Sequence, residues 1–494
     1  MGRVLAVDIG ASSYRVMEGT FLDGSISMKE LARFSHAPVW EQGHYYWDID
    51  RMKENLIGVI QETARAGEEI SSIGFDTFGT DFGLIDHKGC LLSQPLAYRD
   101  SISDGMYQKY FQNEECLYQR IGGTYANTST AHLLMGMKEQ GFESLKKAGR
   151  LLFLPDLLAW MFTGTFVNEY TIATSSRLLD VKRRQWDWEL INDLGLPWEI
   201  FHPLSDAGTV AGTLKQEISA GISNLSRTVV TAVACHDTAS AVVTVPKQAG
   251  SSFISSGSWS VKGVVSSVPY TSMEACRYQM SNEGQPKGQY RLIRNIAGLW
   301  ILEECMRSYQ EKGHSIGITE LVQQAEKAEE FPSMIYTDAR DFAKPGHMPE
   351  KIQSYCKRTG QKMPETPVEI MQTVIGGLAC EYRLHNEELC QVTGQQISRL
   401  YIVGGGSRNG YLNQCAANIT GCTVSCGHPE ATALGNLLMQ MKTQGQINSI
   451  EEFLGEQAFN DRQYEPENSR EWEDKYGRYL KIRKEENETD YKRA

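Results

Sequence analysis

Four apolar residues, Val4 to Val7, open the chain and run into Asp8-Ile9-Gly10-Ala11-Ser12-Ser13, after which Tyr14 to Phe21 returns as a second strand-like stretch. This pattern predicts a β-hairpin with small and hydroxylated residues at its tip, where Gly10 permits a positive φ and close backbone approach. The period then changes: Ile49 to Arg65 sets Met52, Leu56, Val59 and Ile60 on one helical face. Ile73 to Asp86 alternates towards another hairpin, with its turn at Asp86-His87-Lys88-Gly89. Gly79 interrupts that strand pattern and marks a bulge or a place where something nears the backbone. Residues 130 to 165 read as largely helical, with a buried helix begun at Pro155. Thr228 to Val233 is a β-branched run, hence a buried strand. Thr238 to Val245, small and apolar and stopped by Pro246, predicts a short buried helix.

After Pro246 the opening pattern recurs. Ser252 to Ser260 is a strand ending in glycine and hydroxyls, and Val261 to Val265 is its return. Two strand–turn–strand units suggest two lobes on one plan, divided near residue 246. Arg291 to Met306 reads as an amphipathic helix, whereas residues 310 to 365 are polar and turn-rich. Val368 to Gln391 predicts a long helix leading into the strand Leu400 to Val403. Gly404-Gly405-Gly406-Ser407 and a helix from about Gly410 follow. Trp472, Tyr476, Tyr479 and Leu480 share one face of a final helix that docks on a lobe.

At 494 residues the chain is too long for one core. A net charge of −12 argues against a nucleic-acid partner, which needs a basic footprint. No N-terminal basic region precedes a long apolar core, and no apolar run nears the ~18 residues of a membrane span. A cytoplasmic protein without a membrane partner is the expectation. Eleven scattered cysteines are expected as reduced thiols. Cys415, Cys422, Cys426 and His428 cluster, but their spacing matches no zinc ribbon and no metal is expected there.

The candidate chemistry sits at the turns. Asp237 stands at a strand-to-helix junction, where free N–H groups and the helix dipole favour negative charge; it is either a cap or a functional carboxylate. Ser12, Ser13 and the hairpin N–H groups have the composition of a phosphate cradle with Arg15 adding charge, or of an ordinary tight turn. Asp76 and Asp81 have the same two readings, as turn carboxylates or as site residues. The three glycines form a backbone platform for a flat ring or a phosphate.

The segment ACHDTASAVVTVP (residues 234–246) resembles the catalytic segment of the FGGY family of carbohydrate kinases, most nearly its rhamnulokinase branch. The hairpin DIGASSYR, the DTFGTD segment from Asp76, SFISSGSWS, RLIRNIAGLW from Arg291, and the glycine triplet with PEATALGN from Pro429 follow the family in order, over roughly residues 4 to 440. Tyr98-Arg99-Asp100 also matches a family string and reads as structural. Glycine is usual where Tyr14 stands, threonine at Ser258, and glutamine at Glu303.

The resemblance implies an α/β fold with two ribonuclease-H-like lobes, of the actin and hexokinase type, around a central cleft. Residues 1–245 would form the sugar-binding lobe with the first phosphate hairpin, 246–440 the nucleotide-binding lobe, and 441–494 a helical tail packed back on the first lobe. It implies transfer of the ATP γ-phosphoryl group to the 1-hydroxyl of L-rhamnulose, with ATP and Mg2+ as cofactors. L-Fuculose, D-xylulose or another ketose, and an inactive nucleotide- or sugar-binding relative, stay open as alternatives. The implied base is Asp237, with Gly79, His236, Thr238 and Asn295 also on the sugar. Ala11, Ser12, Ser13, Tyr14, Arg15, Ser258, Glu303 and Gly405 would line the ATP, and Asp8 would hold magnesium through water. The implied partners are the ketose and ATP alone, in a monomer or homodimer.

Overall fold

A computed structural model describes residues 2–22, 24–112, 114–124, 128–314, 316–457, 462–467 and 469–493. Strands β1 (Arg3–Ile9), β2 (Ser13–Leu22) and β3 (Ser25–Ser35) form an antiparallel meander. Helix α1 (Ile49–Ala66) starts at Asp48, whose side chain accepts the Arg51 N–H, and buries Met52, Leu56 and Ile60. Strand β4 (Ile70–Thr77) pairs parallel with β1. Strand β5 (Phe82–Asp86) leaves that sheet to pair with β6 (Ala148–Phe153), so the break at Gly79 separates two sheets. The strand β6 lies inside a region expected to be helical; helix α2 (Leu154–Thr163) follows it with Pro155 in its first turn. Strands β7 (Thr209–Thr213) and β8 (Val229–Ala232) lead to α3 (Asp237–Val243). The sheet order is β7-β8-β4-β1-β2-β3, with β8, β4 and β1 parallel.

The plan recurs after Thr244. Strands β9 (Ser251–Ser256) and β10 (Trp259–Ser266) form the second hairpin. Next come β11 (Ser281–Gln285), β12 (Gln289–Ala297) and α4 (Trp300–Glu311). Helix α5 (Pro367–Thr393) begins in a capping box between Thr366 and Glu369. Strand β13 (Arg399–Val403) runs parallel to β9, and after α6 (Gly410–Thr420) strand β14 (Thr423–Cys426) runs parallel to β13. Each sheet therefore holds a hairpin whose first strand is followed by two parallel neighbours. Helices α7 (Ala431–Thr443) and α8 (Ser469–Arg493) complete the chain.

Two compact units result. The first comprises Met1–Thr244, Val265–Leu292 and Ala431–Glu456; the second comprises Val245–Val264, Ile293–Glu430 and Gln457–Ala494. The first unit's first segment ends at Thr244, but the units are not the contiguous lobes 1–245 and 246–440: 265–292 and 431–456 belong to the first unit, and the tail 441–494 is divided between the two. Helix α7 belongs with the first unit because it packs on β1, β4 and α3. A Cβ at Gly435 would collide with Ser240 O, so only glycine permits that helix crossing. Gln440 Nε2 donates to Leu5 O at 2.9 Å in the same contact.

Three further expectations need correction. Helix α8 packs in the core of the second unit rather than on the first: Trp472, Tyr476 and Tyr479 join Cys380, Tyr382 and Cys415 there, while Leu480 stays exposed. Arg291 to Met306 is not one helix but β12 followed by α4. Gly298 lies so close to the second hairpin, its Cβ position 2.7 Å from Ser260 N, that the chain must turn before a helix can start. Finally, Gly10 is not among the left-handed glycines, and a Cβ there would make an ordinary 3.4 Å contact with Ser13 O. Among the described residues no helix is long and apolar enough to cross a membrane.

Candidate active site

Ligands in α/β folds gather at the carboxyl ends of parallel strands. In the first unit those ends carry three acids. Asp8 and Asp76 are register partners on β1 and β4, and Asp237 follows β8. Backbone hydrogen bonds lock the edge together: Thr77 N–H donates to Cys235 O at 2.9 Å and Phe78 N–H to Ile9 O at 3.1 Å. Asp8 is held by Arg15, with Nη2 at 2.7 Å and Nε at 3.0 Å. Asp76 is fully buried, accepts Asn436 Nδ2 at 2.5 Å, and leaves its Oδ1 without a hydrogen-bond partner. Burial and the charge of Asp8 push the Asp76 carboxyl well above the usual carboxylate range.

Asp237 is different. Its side chain is 33% exposed, and His236 Nδ1 lies 2.9 Å from Oδ1. Burial alone would raise its pKa, but the His236 ring and the N–H and hydroxyl of Thr238 hold it below the usual aspartate value. The carboxylate is therefore ionised at neutral pH and open on one side. By position the N-cap of α3 is His236, whose Nδ1 accepts the Thr238 N–H at 3.2 Å, but Asp237 Oδ1 accepts the same N–H at 2.5 Å, so Asp237 also satisfies a free N–H of the first turn.

Gly79 lies against this pair. A Cβ there would sit 3.0 Å from His236 Nε2 and 2.9 Å from Ser175 Cβ, which explains the break in the strand pattern. The next residue, Thr80, has φ of 79°, a conformation strongly disfavoured for a β-branched side chain. It is held there by its N–H donating to Ser175 Oγ at 2.9 Å and its carbonyl accepting from Thr130 Oγ1 at 2.6 Å. Asp81 is buried, and despite hydrogen bonds from Trp47, Tyr98 N–H and Thr80 its pKa is pushed up to about 7. Asp100 accepts from Ile102 N–H and Tyr45 N–H and contacts His44, which is the structural role expected of that string.

At the first hairpin tip, Ser12 is exposed and Ala11 and Ser13 are half-buried. The Tyr14 side chain points inwards, stacking on Phe34 at 5.0 Å between ring centres and accepting from Asn55 Nδ2 at 2.7 Å. Only its backbone faces the tip, so a tyrosine in place of glycine does not fill the cradle.

In the second unit, Ser258 Oγ donates to both Glu303 carboxylate oxygens at 2.9 Å, and Trp300 N–H donates to Ser258 O at 3.1 Å. Hairpin and helix start are thus one assembly. Gly404 has φ of 83° and its Cβ position is 2.8 Å from Ser256 O, whereas nothing lies within 4 Å of a Cβ at Gly405. Gly405 is the open face of the glycine platform. Asn295 is exposed on β12 in this unit, on a strand rather than the expected helix. From Ala431 onwards the PEATALGN segment is the first unit's α7, and Asn436 is engaged with Asp76 and Gly74 O rather than lining the platform. Cys415, Cys422 and Cys426 are buried, and among the described residues no group of three or more His, Cys, Asp or Glu is arranged to hold a metal ion.

The sequence reading missed a buried charge cluster beside His236. Glu283 on β11 lies 3.7 Å from His236 Nε2, 3.3 Å from Arg177 Nη2 and 3.2 Å from Arg291 Nη2. Its one available signal was charged residues inside otherwise apolar strands, as in RLIRNI.

Residues 3–244 match the N-terminal domain, and residues 252–443 the C-terminal domain, of the FGGY family of carbohydrate kinases. A rhamnulokinase from Bacteroides thetaiotaomicron is 37% identical over 448 residues, 90% of this chain and 91% of the relative. One from Oceanobacillus iheyensis is 35% identical over 450 residues, 91% and 94% of the two chains. Among solved structures, a xylulose kinase from Lactobacillus acidophilus has a TM-score of 0.80 at 15% identity, covering 98% of both chains. Plasmodium falciparum glycerol kinase has a TM-score of 0.79 at 14% identity, again over 98% of both. Those two share the fold; the sequence matches go further. With both domains matched in order along nearly its whole length, the chain belongs to the FGGY family of carbohydrate kinases.

Proposed function

We propose that this kinase transfers the γ-phosphoryl group of ATP to the 1-hydroxyl of L-rhamnulose. The observation that carries the reading is identity of 33–37% over about 90% of the chain to relatives named rhamnulokinase. Asp237 is the base: it is ionised, open to one side and fixed by His236 and Thr238. Phosphoryl transfer has a loose transition state, so the base need only orient the hydroxyl and take a late proton. Gly79, His236, Thr238 and Asn295 bind the sugar. Ala11, Ser12, Ser13, the Tyr14 backbone, Arg15, Ser258, Glu303 and Gly405 serve ATP.

Asp8 and the unpartnered Asp76 Oδ1 suit a divalent cation, which we take to be Mg2+ bound through water. Magnesium keeps several waters and takes few protein ligands, so two carboxylates and phosphate oxygens suffice. When bound it would neutralise phosphate charge; Arg15 and the hairpin N–H groups add to that. In this reading Glu303 holds the Ser258 hydroxyl rather than facing phosphate directly.

The test is an ATP-coupled assay over L-rhamnulose, L-fuculose and D-xylulose with magnesium. L-Rhamnulose should have a kcat/KM at least about 100-fold above the others, the discrimination that a site hydrogen-bonding each hydroxyl can give. Equal or greater turnover of another ketose would overturn the substrate assignment. Gly79→Val should raise the KM for sugar by about 10-fold or more, since a misplacement of about 1 Å is costly, and leave the KM for ATP nearly unchanged. Equal effects on both would mean that Gly79 serves folding alone.

A further inference from the structure

Thr80 is the central residue of a three-residue turn, closed by the Asp81 N–H donating to Gly79 O at 3.1 Å. With φ of 79° this is a γ-turn of the rarer, strained hand, and a β-branched residue is ill suited to it. Such a backbone persists only where its surroundings hold it. Two side chains do so. Thr130 Oγ1, at the start of the helix Thr130–Glu139, donates to Thr80 O at 2.6 Å, and Ser175 Oγ accepts the Thr80 N–H at 2.9 Å. The Ser175 hydroxyl itself donates to Ile172 O at 2.7 Å, which leaves its oxygen as an acceptor for the turn. The turn sets Gly79 against its neighbours so closely that a Cβ there would meet Ser175 Cβ at 2.9 Å and His236 Nε2 at 3.0 Å.

The segment that carries Ser175 is also tied to the other wall of the site. The short helix Tyr170–Ala173 and the tight turn Thr174–Ser176 are buried throughout. Glu169, at the N-cap of that helix, accepts the Cys235 N–H at 3.3 Å, and Thr171 Oγ1 accepts the His236 N–H at 3.4 Å. Thr171 Oγ1 in turn donates to Glu169 Oε2 at 2.6 Å. One buried stretch, Glu169 to Ser175, therefore grips both the Gly79–Thr80 turn and the backbone that leads into Asp237. We propose that Ser175 is a positioning residue for the sugar: its bond to the Thr80 N–H holds Gly79 in register with His236 and Asp237, and so governs the affinity for sugar and not for ATP. The proposal rests on Gly79 lying against the sugar.

The test is Ser175→Ala, which removes the acceptor and little of the bulk. The KM for L-rhamnulose, or for whichever ketose of the assay panel is turned over fastest, should rise about 10-fold or more, while the KM for ATP changes less than about 2-fold. Thr80→Gly probes the cause, because glycine takes a positive φ without strain. In that background Ser175→Ala should raise the sugar KM by less than about 3-fold. Should Ser175→Ala not fold, Thr130→Ala releases the same turn from its other side and should split sugar from ATP in the same way. A sugar KM that moves no more than the ATP KM, or an undiminished effect in the Thr80→Gly background, overturns the role of Ser175 alone when Gly79→Val still acts selectively on sugar. Gly79→Val acting equally on both substrates overturns the placement of Gly79 and this proposal together.

Discussion

Asp237→Asn is expected to lower kcat by about 10²–10⁴-fold, the usual contribution of a general base. Asparagine keeps the shape of aspartate and can still accept the Thr238 N–H, so the local backbone has no reason to move. What it loses is the proton acceptor and the negative charge facing His236. Calorimetric affinities for ATP and sugar should therefore change little, and the urea midpoint should stay near that of the wild type. If Asp237 served only to accept the Thr238 N–H, asparagine would do so about equally well, and both turnover and stability would stay intact. Near-normal kcat in the variant would remove Asp237 from the chemistry and return the chain to a sugar- or nucleotide-binding role.

Arg291→Met is expected to destabilise the protein by about 3 kcal/mol, the cost of leaving a buried carboxylate without a main partner. Arg291 has no exposed surface, and Glu283 has almost none. Burial raises the Glu283 pKa, but His236, Arg291 and Arg177 together hold it below the usual glutamate value of 4.5. Its ion pairs thus contribute stability above the unfolded pKa, and that contribution is lost as pH falls through the lower folded value. The deficit of Arg291→Met in urea unfolding should accordingly be widest near pH 7 and narrow towards pH 4, as Glu283 becomes protonated in the variant. A deficit equal at both pH values would assign it to lost packing of the long side chain instead.

Local pattern carried much of this structure. The hairpin at Arg3–Leu22, the strand and helix flanking Asp237, and the helices at Ile49 and Pro367 lie where periodicity and turn residues put them. Local pattern offered an acid at a helix start and a glycine interrupting a strand, but it was the family resemblance that placed Asp237, His236 and Gly79 at one site. Residues whose role depends on distant partners were not legible. Arg291 and Glu283 look like surface charges on amphipathic segments, and only β11 and β12 as neighbours reveal a buried ion pair. The return of α7 to the first unit depends on Gly435 meeting Ser240 and on Asn436 meeting Asp76, contacts across some 190 and 360 residues. Helix α8 shows the same limit: its aromatic stripe predicted docking, but nothing in that stripe named the surface it covers.

The most direct measurement is phosphorus NMR of a reaction holding the enzyme, ATP, magnesium and L-rhamnulose. The account predicts that the γ-phosphate signal is replaced by one phosphomonoester, its phosphorus coupled to the two protons on C1 of the sugar, in proportion to ADP formed. ADP with free phosphate and no sugar ester, or an ester at another carbon, would contradict it.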